Sequence, residues 1–215
     1  MSRYTILLGG ELVRTPALDR QIAGTRFIAA DSGIRHAETL GIVPELWVGD
    51  FDSAPPDLPD HLASVPTQKF PADKDSTDGE LAVDIALEQG ATALVLAGAF
   101  GGARADHAFL HLALALRLAE AGTEVLLTSG TQEGRPLLHR KTTVFDYSDG
   151  TLFSILGFSE LTGLTVHGAK WPLEAVRVPF GSSLTMSNEV RGRLGVGLEQ
   201  GRALLVAHPL TSKEG

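Results

Sequence analysis

RFIAADSGIRHAETLGIVPELWVGDFDS, residues 26–53, decides how this chain folds. Arg26 to Ala30 is an apolar run that stops at Asp31-Ser32-Gly33. An amphipathic stretch follows, with Ile34, Ala37 and Leu40 on one face and Gly41 at its close. Leu46 to Val48 is the next apolar run, and it too stops at acidic residues, Asp50 and Asp52. Strand, helix, strand is the pattern of parallel pairing. It sets Asp31 and Asp50 at the carboxyl ends of neighbouring strands, the edge where open parallel sheets place their ligands. Asp31 or Ser32 can equally cap the helix that follows. Asp50 and Asp52 lack that explanation, because Pro55-Pro56 delays any helix.

The pattern extends in both directions. Tyr4 to Leu8 forms a first buried run closed by Gly9-Gly10, either a plain turn or a phosphate-lining one, and a short helix begins at Pro16. On the far side, DKDSTD at 73–78 supplies more carboxylates. Thr77 and Glu80 have the spacing of a capping box for a helix running to Gly90, and Asp78 falls in its first turn, where the helix dipole favours a carboxylate with or without metal. Asp73 and Asp75 precede the cap and have no such duty, while Lys74 between them is suited to pair with a carboxylate or a phosphate. Ala93 to Ala97 is the next strand, followed by Gly98, Gly101, Gly102, Arg104, Asp106 and His107. These read as a phosphate cradle at the start of a helix from Asp106 to Ala121, the alternative being a cap by Asp106 beside an exposed Arg104. His107 and His111 lie four apart on that helix, but no accompanying acid makes them a zinc pair. Glu124 to Thr128 closes the first half.

Beyond residue 130 the helical period disappears. Thr142–Phe145, Thr151–Leu156, Leu164–His167, Ala175–Val178, Leu184–Met186, Leu194–Leu198 and Ala203–Val206 are short runs separated by turns. The expectation is an α/β N-terminal domain with a mostly parallel sheet over 1–130, followed by an all-β antiparallel sandwich domain over 131–215. Trp171 falls in a turn-like segment, either stacked on a flat or cationic ligand or plugging the sandwich.

Composition excludes several classes. With no cysteine there are no disulfides, thiolate metal sites or cysteine nucleophiles, so any metal is held by oxygen or imidazole, which favours magnesium, manganese or calcium. A net charge of −8 argues against nucleic-acid or membrane-surface binding. No stretch reaches the length of a membrane span, and the first residues lack a signal-peptide layout, so a cytoplasmic location is expected. Carboxylates crowded at one sheet edge need a cation or shared protons.

Taken together the motifs resemble thiamine pyrophosphokinase: ADSG at 30–33, GDFDS at 49–53, DKDSTDGE at 73–80, GAFGGARADH at 98–107, GAKWPL at 168–173 and SNE at 187–189, all in the order of that family. Two departures stand out: Ser32 occupies one of the two places after Asp31 where that family often has glycine, and Ala103 separates the glycine pair from Arg104. The resemblance implies transfer of a pyrophosphoryl group from ATP to the hydroxyl of thiamine, with Mg2+, in a homodimer whose active sites lie between subunits. It implies that Asp50, Asp52 and Asp78 organise the metal and that Asp31 is a further site carboxylate, either metal-bound or accepting the hydroxyl proton. Asp75, Thr77, Arg104, Asp106 and His107 fall on the ATP side, and Trp171, Ser187 and Asn188 on the thiamine side. A magnesium-dependent phosphohydrolase or nucleotidase, and a nucleotide-binding module without catalysis, are the alternatives.

Overall fold

A computed structural model describes residues 2–52, 58–71 and 75–210, so Ser53, Asp73 and Lys74 lie outside the described residues. The contacts divide the chain into one unit of residues 1–114 and 123–130 and another of residues 115–122 and 131–215.

In the first unit, six strands pair in parallel: β1 (Ser2–Leu7), β2 (Arg26–Ala30), β3 (Leu46–Gly49), β4 (Thr67–Lys69), β5 (Ala91–Ala97) and β6 (Glu124–Thr128). Their spatial order is β6-β5-β1-β2-β3-β4. The chain therefore winds outward on one side of β1 as far as β4, then returns to build on the other side. The reversal between β1 and β5 opens a crevice at the carboxyl ends of the strands. Beyond the strands the two tails stay joined, with Gly10 N–H donating to Gly98 O at 2.9 Å and Glu11 N–H to Phe100 O at 2.8 Å.

The expected helices are present: α1 (Pro16–Ile22), α2 (His36–Leu40), α4 (Asp78–Glu88) and α5 (Ala105–Glu120), with a short α3 (Asp60–Ala63). Asp31–Arg35 is a 3-10 turn leading into α2. Thr15 caps α1, its hydroxyl accepting from Leu18 N–H at 3.1 Å, and Pro16 occupies the position where a missing N–H is harmless. Leu7, Leu18, Ala29, Ile34, Trp47, Leu62 and Val95 belong to one buried cluster against the sheet. Each fully buried aliphatic side chain there contributes about 1.5–3 kcal/mol.

The second unit is antiparallel. Strand β12 (Asn188–Leu198) pairs along its later half with β8 (Lys141–Phe145) and, there and at Val190, with β10 (Leu161–Ala169), which in turn pairs with β11 (Leu173–Val178). The first residues of β12, Asn188 and Glu189, pair instead with β9 (Leu152–Gly157), which joins β13 (Ala203–His208) and β7 (Glu133–Leu137). One long strand thus belongs to two sheets. Phe153, Ile155, Leu164, Val166, Val190, Val196 and Leu205 fill a buried cluster drawn from both.

One predicted strand is absent. Leu184–Met186 is turn, Leu184 and Met186 are exposed, and the chain enters β12 only after Ser187, whose φ of 57° breaks an extended run.

Candidate active site

Site geometry begins with Gly49. A Cβ there would sit 3.3 Å from Asp31 Cα, so the absence of a side chain lets β3 bring its end, and Asp50 after it, against Asp31. Asp31 has φ 44°, in the left-handed region that Asp and Asn tolerate better than most residues. Its backbone carbonyl accepts from Trp47 Nε1–H at 2.8 Å, so a buried indole holds the turn from below.

Asp31, Asp50 and Asp78 come together. Each offers a carboxylate oxygen, and these atoms lie within 4.8 Å of one another, all three residues half-buried. Asp31 Oδ1 is buried without a hydrogen-bond partner. Burial chiefly pushes the Asp31 carboxyl above its ordinary range; the backbone N–H of Ser32 opposes this, and Asp78, Asp50 and Asp52 add to it. An orphaned buried oxygen facing two more carboxylates suits a hard divalent cation, which all-oxygen ligands favour. Asp52 is placed differently: it falls outside this trio, although its charge still reaches Asp31. Its backbone N–H donates to Asp50 Oδ1 at 3.1 Å, closing a tight turn around Phe51, whose ring meets Trp47 edge-on at 4.7 Å.

Asp31 and Asp78 also line a cavity of about 350 Å³, together with Gly9, Gly10, Arg35, Thr77, Gly101, Gly102, Arg104, His107 and His111. Thr77 and Glu80 form the capping box: Glu80 N–H reaches Thr77 Oγ1 at 3.3 Å, and Thr77 N–H reaches Glu80 Oε2 at 3.2 Å. This fixes Asp78 at the first position of α4. Gly98, Gly101 and Gly102 all have positive φ, which only glycine adopts readily, so the loop before α5 carries its backbone close to the cavity.

Arg104 and Asp106 are exposed and form a bidentate pair, at 2.7 Å for the closest contact, and the guanidinium holds the Asp106 carboxyl well below the usual range. Neither expected partner is therefore an unmatched charge. His111 is buried, and burial lowers its pKa; Nδ1 lies 3.3 Å from the Ala99 carbonyl, which requires the proton on that nitrogen. Asp75 is exposed and does not line the cavity.

In the second unit Asn188 is buried and grips the main chain of Trp171 from both sides, Trp171 N–H donating to Oδ1 at 3.2 Å and Nδ2 donating to Trp171 O at 2.8 Å. Trp171 is 55% exposed, with Lys170 Nζ 4.7 Å from its ring centre. Ser187 is exposed, its N–H donating to Ser154 Oγ at 2.9 Å. Arg35 is the cavity residue that sequence reasoning passed over. A basic residue one turn after a strand-end aspartate was the available signal.

Comparison with known proteins gives matches along most of the chain. Residues 23–127 match the family described as thiamin pyrophosphokinase, catalytic domain, and residues 141–201 that described as thiamin pyrophosphokinase, vitamin B1 binding domain. A thiamine pyrophosphokinase from Bacillus subtilis (strain 168) is 29% identical over 169 residues, covering 77% of this chain and 78% of the relative. The crystal structure of a thiamin pyrophosphokinase from Geobacillus thermodenitrificans is 26% identical with a TM-score of 0.76, covering 99% of each chain. That of the Bacillus subtilis enzyme, at 24% identity, superposes with a TM-score of 0.82 over 97% of this chain and 100% of the other. The Candida albicans enzyme, at 13% identity, still shares the fold, with a TM-score of 0.79 over 97% of this chain and 89% of that one.

Proposed function

The chain belongs to the thiamin pyrophosphokinase family, and from that premise we propose how its residues carry out pyrophosphoryl transfer from ATP to the hydroxyl of thiamine, giving thiamine diphosphate and AMP. The observation that carries the proposal is the meeting of Asp31, Asp50 and Asp78, of which Asp31 and Asp78 line a cavity bordered by a glycine-rich loop.

In this proposal the thiamine hydroxyl oxygen attacks the β-phosphorus, the bond from that phosphorus to the bridging oxygen breaks, and the oxygen leaves with AMP. Such reactions depend on alignment and on neutralising charge spread over phosphate oxygens. Asp31, Asp50 and Asp78 would hold Mg2+, with Asp52 beside them. The ion supplies charge neutralisation to the phosphates when bound. Asp31, through an oxygen that the ion leaves free, would take the hydroxyl proton. Backbone N–H groups of the 98–104 loop and the start of α5 cradle the polyphosphate, with Thr77, Arg104, Asp106 and His107 around it and Asp75 at the approach.

Residues 1–130 are assigned to nucleotide and metal, and residues 131–215 to the vitamin. Trp171 offers an exposed indole face for the cationic thiazolium and its ring partner, while Asn188 fixes the main chain beneath it and Ser187 borders it. A homodimer with active sites at the subunit interface is the proposed assembly. Phe180, Leu184 and Met186, all exposed, give the second unit an apolar surface suited to burial. No described helix is long and apolar enough to cross a membrane, and the proposed location is cytoplasmic.

Incubation with thiamine, ATP and magnesium, followed by identification of the nucleotide product, tests the proposal. AMP formed only in the presence of thiamine is the expected result. ADP with thiamine monophosphate, or free phosphate without thiamine, would refute it, the latter pointing to a phosphohydrolase.

A further inference from the structure

We infer that Arg35 binds the polyphosphate of the nucleotide, supplying positive charge that no carboxylate matches among the described residues of this cavity; the inference rests on the transfer proposed above. Arg35 lines the cavity alongside Asp31, Gly9 and Gly10. One terminal nitrogen, Nη2, donates to both Gly9 O and Gly10 O, the latter at 3.0 Å. A guanidinium has five N–H donors, so those on Nε and Nη1 remain for another acceptor.

Charge points to what that acceptor is. Three carboxylates carry up to three negative charges, a divalent ion offsets two, and a nucleoside triphosphate brings about four more. Arg104, the other arginine of the cavity, is matched by Asp106. Among the described residues no carboxylate matches Arg35. Its two carbonyl contacts anchor the planar fork before any ligand arrives, which lowers the ordering cost of binding an anion.

A purely structural account makes Arg35 a staple for the Gly9-Gly10 turn. That task needs N–H donors and no charge, and His36 Nε2 already lies 3.0 Å from Gly10 O. Arg35→Gln separates the two accounts, because its amide keeps N–H donors and loses the charge. Calorimetric titration of the full chain with magnesium-ATP and with magnesium-AMP, in the absence of thiamine, reads the difference.

The expected result is an ATP affinity weaker by about 10- to 100-fold in Arg35→Gln, a much smaller loss for AMP, and an unchanged melting temperature. Wild-type ATP affinity in the folded variant, or equal losses for ATP and AMP, would overturn the inference. If Arg35→Gln melts well below wild type, Arg35→Lys decides. Retention of ATP affinity to within about threefold of wild type supports a charge role, since the ammonium is a poorer fork but still a cation. A loss as large as that of Arg35→Gln overturns it. Because thiamine is absent, a wild-type protein that binds magnesium-ATP yet makes no AMP with thiamine defeats the transfer reading alone and leaves the Arg35 result standing.

Discussion

Replacing Asp31 with Asn should make the metal-free protein more stable while removing its response to magnesium. Asn tolerates the left-handed backbone at this position, so the change introduces no new strain. At a separation of at most 4.8 Å, two full charges repel by about 0.9 kcal/mol in a water-like dielectric and about 3.5 kcal/mol at an effective value of 20. Asp31 is half-buried, so the lower part of that range governs, and relief from Asp50 and Asp78 together amounts to about 1–2 kcal/mol. For a chain of this size the gain corresponds to about 2–8 °C in melting temperature. The sign with pH follows from a folded-state pKa that is raised. Below the unfolded value of about 3.9 Asp31 is protonated in both states and the penalty is absent; it grows as pH rises through the folded pKa and is complete above it. The advantage of Asp31→Asn should therefore be present at neutral pH and vanish in acid. In wild type, magnesium at about a hundred times its dissociation constant adds about 2.7 kcal/mol, and the variant should lose most of that. Thermal melts with and without magnesium across pH provide the assay. A variant that melts no higher than wild type without metal at neutral pH, or that keeps the full magnesium shift, refutes the reasoning.

Other substitutions separate structural duties from chemical ones. Asp52→Ala should cut turnover by about 100-fold or more with an unchanged melt, as expected for a group beside transferring phosphate; near-normal kcat in a steady-state assay would remove Asp52 from the site. Thr77→Ala should cost about 1 kcal/mol through loss of the capping box, read by chemical denaturation, and a larger effect on ATP affinity than on stability would show that Thr77 also touches nucleotide. Trp171→Ala should raise the KM for thiamine about tenfold or more with little change in stability, because the side chain is largely exposed. Asn188→Ala should raise the same KM and also destabilise the protein by about 1–3 kcal/mol, since it leaves buried main-chain groups of Trp171 unpartnered. Equal stabilities for the two variants would contradict that division.

Strand ends were the most legible part of this sequence. Apolar runs terminating in Asp31 and Asp50 carry both the parallel pairing and the location of the acidic centre, because burial and strand termination are written in residue type. Strand β4 was invisible for the same reason: Thr67, Gln68 and Lys69 are all exposed at the sheet edge and show no apolar pattern. Strand β7 includes Pro136, a residue that argues against a strand, yet it pairs along β13. The Leu184–Met186 run misled because exposed apolar residues in a turn look like a short strand until the positive φ of Ser187 is known. Within the site, spacing gave the aspartates but not their grouping. Asp31 joins Asp50 and Asp78 because of a backbone turn and a glycine contact, neither of which sequence period encodes. Asn188 was legible as important and not as a clamp, since its partner lies 17 residues away.

The indole that holds the Asp31 turn has a practical consequence. The chain contains two tryptophans: Trp47 is 8% exposed and bonded to the main chain of a carboxylate in the acidic trio, and Trp171 is 55% exposed. Their emission should separate into a blue component insensitive to aqueous iodide and a red component quenched by it. Cation titration should alter the first and thiamine the second. The unlabelled protein thus carries a two-channel optical readout, one chromophore for each unit, by which the order of ligand addition can be followed in stopped-flow mixing.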